Sequence, residues 1–134
     1  MPDSASSDLS AIDAAMRKAA VVWLGVASLP AYAVWPLWHE RTLVVLSGGD
    51  EQPAPGLAEA TSARVLVPTK GARELALSFD AAVRTVAPLS DEWNALTALL
   101  VPRRLNMGDV ATAPGRWAAT CTVSALTPVT ATAA

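Results

Sequence analysis

Apolar and polar positions alternate most cleanly near the middle of the chain. Leu75, Leu77, Phe79, Ala81 and Val83 share one register, and Glu74, Ser78, Asp80 and Arg84 share the other. A period of two places one face against a core and the other in solvent, which predicts a strand in a barrel or a covered sheet. Residues 21–27 form a continuous apolar run, predicting a strand buried on both faces. Residues 32–38 alternate Tyr32, Val34, Pro36 and Trp38 against Ala33, Trp35 and Leu37. Pro36 cannot donate to a ladder, so this segment is expected to be an edge strand or to bulge at the proline. His39-Glu40-Arg41 makes a hairpin turn into a third strand, residues 42–46, which ends at Ser47-Gly48-Gly49. Residues 63–67 supply another strand, turned at Lys70-Gly71, and residues 116–126 supply the last, with Trp117, Ala119, Cys121, Val123 and Ala125 facing one way.

Two helices complete the pattern. The first is capped by Ser7 or Asp8 and carries Leu9, Ile12, Met16 and Ala20 near helical spacing. Ser90 caps the second, Asp91 and Glu92 occupy its first turn, and Trp93, Leu96, Leu99 and Leu100 form its apolar stripe. Pro53, Pro55 and Gly56 mark residues 50–60 as a loop with a short helical turn over 56–60. The order helix, five strands, helix, strand has no helical crossovers. It predicts a mainly β fold, a small six-stranded antiparallel barrel with an N-terminal helix and a helix before the last strand.

Composition adjusts this picture in three ways. A chain of 134 residues is one domain, with residues 1–7 and 128–134 expected to be disordered tails. Hydrophobic residues make up 52% and charged residues only 16%, which leaves a surface poor in charge and favours a partner, most simply a second copy. Residues 19–38 carry no charge and match a membrane span in length, but Pro30, Pro36 and Gly25 break the helix, so two strands are the better account. The net charge of -2 and the scattered Lys and Arg argue against nucleic acid. The acidic, polar start disfavours a secretory signal, and one cysteine fits a reducing cytoplasm.

Candidate chemistry is sparse. The single His39 is not placed against a serine by any spacing, and with Cys121 it makes no zinc set. Cys121 falls on the apolar register and is expected to be inert core. The candidate site is the loop from Ser47 through Gly48, Gly49, Asp50 and Glu51 to Gln52. Two glycines let backbone N–H groups form an anion nest, Ser47 adds a hydroxyl, and the Gln52 amide can donate and accept. The plainer alternative, favoured by composition alone, is that the glycines only turn the chain and Gln52 ties down a proline-rich loop. Arg64 and Lys70 flank the fourth strand, where they can meet a phosphate or simply be solvated. Five tryptophans can fill a core or an interface, and one can lie against a planar ligand.

The helix, AVVWLGVAS, the AYAVWPLWHERTLVVLSGG hairpin, ATSARVLVPTKG, ELALSFDAAVRTVAP and the helix beginning SDEW together resemble the FMN-binding split barrels of the pyridoxamine 5'-phosphate oxidase-like superfamily. The likeness spans about residues 9–126 and is greatest to actinobacterial members with a GG-x-EQ-x-x-PGL loop and an RLN segment, here Arg104-Leu105-Asn106. It implies a homodimer binding flavin, deazaflavin or sometimes haem in clefts between subunits, with Ser47, Gly48, Gly49, Gln52, Arg64 and Lys70 near the cofactor and Trp35 or Trp38 shielding it. The family's Ser/Thr-Lys phosphate ligand has no counterpart in EQPAPGL. Two readings follow, a flavin- or deazaflavin-dependent oxidoreductase and a cofactor-free dimeric module that binds a small molecule or a partner.

Overall fold

The computed structural model describes residues 2–49, 51–68, 75–103 and 113–129. In chain order these form α1 (Pro2–Lys18), β1 (Val22–Gly25), β2 (Tyr32–Val34), β3 (Leu37–His39), β4 (Thr42–Gly48), a 3-10 turn at Leu57–Glu59, β5 (Ser62–Pro68), β6 (Leu75–Thr85), α2 (Asp91–Leu100), a 3-10 turn at Val101–Arg103, α3 (Ala113–Thr120) and β7 (Cys121–Val129). The strands make one antiparallel seven-stranded sheet in the order β2-β1-β5-β6-β7-β4-β3, one strand more than the sequence predicts.

The extra strand comes from Pro36. Residues 32–38 are not one bulged strand but two short ones, interrupted at Trp35-Pro36, and they lie at opposite edges of the sheet. From Val34 to Leu37 the backbone can reach about 11 Å at most. Seven flat strands would hold their outer members roughly 29 Å apart. The sheet therefore has to curl until its edges meet, and Trp35-Pro36 is the seam of the resulting barrel.

The barrel's faces pack against different partners. Inward, Val22, Leu24, Val45, Val65 and Leu126 are fully buried and join Ile12 and Met16 of α1 and Leu57 of the 3-10 turn. Each such Leu or Val contributes about 1.5–3 kcal/mol relative to exposure. Outward, Val44 and Leu46 of β4 and Val123 and Ala125 of β7 pack with Trp93 and Leu96 of α2 and Trp117 of α3. The Ser90 hydroxyl accepts from the Trp93 N–H at 3.1 Å, the cap expected from the sequence. Leu99 is exposed and Thr97 takes its place in the buried stripe. Arg84 on β6 grips both Glu92 carboxylate oxygens and pins α2 to the sheet, which holds the Glu92 carboxyl below its ordinary value.

Three further expectations change. β1 is buried on one face only, because no helix covers its other side: Val22 and Leu24 point inward while Val21 and Trp23 are 42% and 44% exposed. The last strand begins at Cys121 and not near 116; Pro114 and Gly115 lie inside α3, where proline is tolerated in a first helical turn. Helix α1 reaches back to Pro2, in the first turn that suits proline, and β7 runs to Val129. The Lys70-Gly71 turn and Arg104-Leu105-Asn106 lie outside the described residues. Among those described, no helix is long and apolar enough to cross a membrane.

The β3–β4 hairpin is as expected, with His39 opposite Thr42, but both turn residues, Glu40 and Arg41, have positive φ of 49° and 59°. Two left-handed residues in a two-residue loop make a type I′ turn, for which Asn-Gly is the favoured pair. Glu40→Asn with Arg41→Gly is expected to stabilise the protein by about 1 kcal/mol, read as a rise in denaturation midpoint with the slope unchanged.

Candidate functional site

The candidate loop begins where β4 ends. Gly48 and Gly49 have φ of +93° and +54°, and a Cβ on Gly49 would sit 2.7 Å from Thr120 Oγ1 and 3.0 Å from Cys121 Sγ. Glycine is required at both positions for backbone reasons alone. The Gly48 N–H donates to the Gln52 carbonyl at 3.1 Å, and the Glu51 N–H donates to the Gly48 carbonyl at 2.8 Å. A nest formed by the Gly48 amide is thus already filled by the chain. Cys121, at the start of β7 and only half-buried, donates its thiol to the Gly48 carbonyl at 3.3 Å. Asp50 lies outside the described residues.

Gln52 closes the seam. The Trp35 N–H donates to Gln52 Oε1 at 2.8 Å, and Gln52 Nε2 donates to the Trp35 carbonyl at 3.1 Å and to the Leu46 carbonyl at 3.2 Å. Trp35 sits between the two edge strands, where the chain crosses from one sheet edge to the other. The Gln52 amide acts as the missing rung, joining Trp35 to β4. Both of its N–H donors are engaged within the chain. Trp38 is engaged too: its indole N–H donates to Asp13 Oδ1 at 2.8 Å, fastening β3 to α1.

That bond has a titration signature. The Trp38 hydrogen bond, followed by the one from Arg17, holds the Asp13 carboxyl below its ordinary value of 3.8. A carboxylate whose folded pKa is depressed adds stability above its unfolded value, and loses it as pH falls through the folded one. Trp38→Phe is expected to raise the Asp13 pKa and to flatten the fall of stability below about pH 4, measured by NMR titration of Asp13 and by melting in acid.

Ser47 points into the barrel, buried, opposite Thr122. Two residues along β7, Ser124 is fully buried and its hydroxyl has no hydrogen-bond partner among the described residues. Sequence reading passed over Ser124, because nothing in TCTVSAL distinguishes an inward serine from an outward one.

Arg64 stands elsewhere. It lies opposite Asp80, which in turn lies opposite Val129 at the far end of β7 from the Gly48–Cys121 pair. Residues 122 and 129 of one strand are roughly 23 Å apart, and Arg64 is on the outer face while Ser47 is on the inner. The expected site residues therefore fall into separate places: Ser47, Gly48, Gly49, Gln52 and Trp35 at the seam, Trp38 on β3 against α1, and Arg64 on the outer sheet. Lys70 lies outside the described residues.

At Arg64 there is a groove of about 490 Å³, lined by Gly25, Ala27, Ser62, Arg64, Asp80 and Val129 among others. Arg64 Nη1 donates to Asp80 Oδ1 at 2.9 Å and Nη2 to Ser78 Oγ at 2.7 Å. Arg64 is the cation among the groove's lining residues, and Asp80 neutralises it. Gly25 leaves the floor flat, and Trp23, on the same face of β1, is exposed beside it. Among the described residues no three of His, Cys, Asp and Glu converge to hold a metal ion.

No protein-family model matches the chain, and no curated protein matches it. Solved structures do. HutZ, a haem storage protein from Vibrio cholerae, superposes with a TM-score of 0.62 at 14% identity over 88% of this chain and 87% of its own. A candidate pyridoxamine 5'-phosphate oxidase from Listeria innocua gives 0.62 at 13% identity over 90% and 92%. A candidate 5-nitroimidazole antibiotic resistance protein from Bacteroides thetaiotaomicron gives 0.53 at 15% over 89% and 78%. At these identities the likeness concerns the fold alone: this chain shares the split-barrel fold of these three structures.

Proposed function

We propose that this chain is a homodimeric split-barrel oxidoreductase that holds a flavin or deazaflavin ring in the Arg64 groove, at the junction of two subunits. The observation that supports this reading most is the bare outer face of β1, β5 and β6. Trp23 of β1 is 44% exposed there, and Val129 of the adjoining β7, which lines a groove with a glycine floor and a polar wall, is 53% exposed. Exposed apolar area rimming a polar groove marks a binding face, and a chain with only 16% charged residues has reason to cover it with a second copy.

The residues suit a ring better than a phosphate. Arg64 has donors left over and Asp80 an acceptor, side by side, which complements the amide-like edge of a flavin. FMN is met here only in its ring, because Asp80 already neutralises the groove's cation. When bound, a flavin supplies hydride chemistry of its own. The chain's part is to hold the ring edge through Arg64 and Asp80, to cover it with Trp23, and to exclude water with the partner's face. Gln52 and Trp38 act at a distance by keeping the barrel closed.

The test is titration of purified protein with riboflavin, FMN, reduced deazaflavin and haem, with sedimentation alongside. A dimer that binds a flavin ring at micromolar concentration is expected, with binding lost in Gly25→Leu. At Gly25 a Cβ makes only ordinary contact, 3.6 Å from Arg64 Cβ, so the fold tolerates the change while the groove fills. A monomer, or a dimer that binds none of the rings, overturns the reading. The second outcome leaves the cofactor-free dimeric module, which the internally satisfied Gly48 amide and Arg64 charge favour. A Soret band without flavin binding would point to haem, although the single histidine, His39, does not line the groove.

A further inference from the structure

We infer that Asp80 is a built-in counter-anion that sets the ligand class of the Arg64 groove, admitting uncharged groups with a donor and an acceptor side by side and rejecting phosphate. The inference rests on the groove being the ligand site proposed above. Its geometry is a cross-strand pair: Arg64 and Asp80 face each other on neighbouring strands, on the outer face, with Ser78 one pleat further along. Asp80 Oδ1 takes one guanidinium nitrogen at 2.9 Å and Ser78 Oγ takes the other at 2.7 Å.

A phosphate binds arginine through two parallel N–H···O bonds to a guanidinium edge. Here both terminal nitrogens are already donors to the sheet's own side chains, and any anion reaching the remaining N–H groups must lie close to a carboxylate. Like charges this close repel even in water, and more strongly where water is excluded. An imide or lactam edge meets no such cost, since it accepts from the free Arg64 N–H groups and donates to the second Asp80 oxygen. The Ser62 and Thr61 side chains at the same wall are neutral and serve either partner.

The charge rule can be read without any flavin. Inorganic phosphate is titrated at low ionic strength, where exposed charges are least screened, into wild type, Asp80→Asn and the double variant Arg64→Ala/Asp80→Asn, following the Arg64 side-chain resonance or its neighbours by NMR. Asparagine keeps an acceptor for Arg64 Nη1 and removes the charge. Expected is roughly a tenfold or greater tightening of phosphate binding in Asp80→Asn, lost again in the double variant. Equal binding by wild type and Asp80→Asn, or none by either, overturns the inference. If no flavin binds wild type while the phosphate titration behaves as expected, the oxidoreductase reading fails and the role of Asp80 stands.

Discussion

Gln52→Ala is expected to destabilise the protein by about 2–4 kcal/mol, although Gln52 sits in a loop and belongs to no strand. The substitution removes three hydrogen bonds to main-chain groups, to the Trp35 N–H and to the Trp35 and Leu46 carbonyls. A part-buried backbone group that loses its partner costs about 1–3 kcal/mol, and here three such bonds go at once. Gln52→Glu should cost nearly as much at neutral pH, since a carboxylate accepts from the Trp35 N–H but donates to neither carbonyl. Chemical denaturation checks both, as a lower midpoint at unchanged slope. A loss under about 1 kcal/mol for the alanine variant would show that the seam does not depend on this amide and would free it for a ligand.

This prediction marks where the sequence stops being legible. Gln52 stands out in GGDEQ, and the tie-down role was one of two readings open to it, but its partner Trp35 lies 17 residues away. Only the curl of the sheet brings them together. The same holds for Arg64: nothing in ARVLV or LSFDAA pairs it with Asp80 until the register of β5 against β6 is known. What depended on local pattern came through. The alternation over 77–83, the Ser90 cap and the turn after Gly56 needed only neighbouring residues.

What depended on surroundings did not come through. An apolar run such as AVVWLGVA looks the same whether a helix covers its second face or leaves Trp23 bare. Residues 32–38 alternate like one strand although Pro36 sends their two halves to opposite edges. The stretch from Arg116 to Leu126 is the instructive miss: its alternation holds as a strand only from Cys121 onward, and the residues before it belong to α3.

Trp117→Ala tests that assignment and is expected to cost about 3–5 kcal/mol, the range for removing a buried tryptophan. Trp117 projects from α3 and is almost wholly buried against the outer core that also holds Leu46, Trp93 and Val123. Its indole N–H reaches Glu51 Oε2 at 3.3 Å, so the same side chain that roofs the sheet also touches the loop beyond Gly49. Trp117→Phe separates the two contributions: most of the packing survives while the polar contact is lost, and the cost should fall to about 1–2 kcal/mol. Denaturation gives the energies, and amide hydrogen exchange over residues 113–120 gives the local structure. A helix starting at Ala113 leaves its first-turn amides open, Pro114 having none, and protects residues 117–120 without a gap, whereas an extended strand paired on one side shows protection at every second residue. Alternating protection, or a loss under about 1 kcal/mol for the alanine variant, would return this segment to the sheet and remove the roof from the outer core.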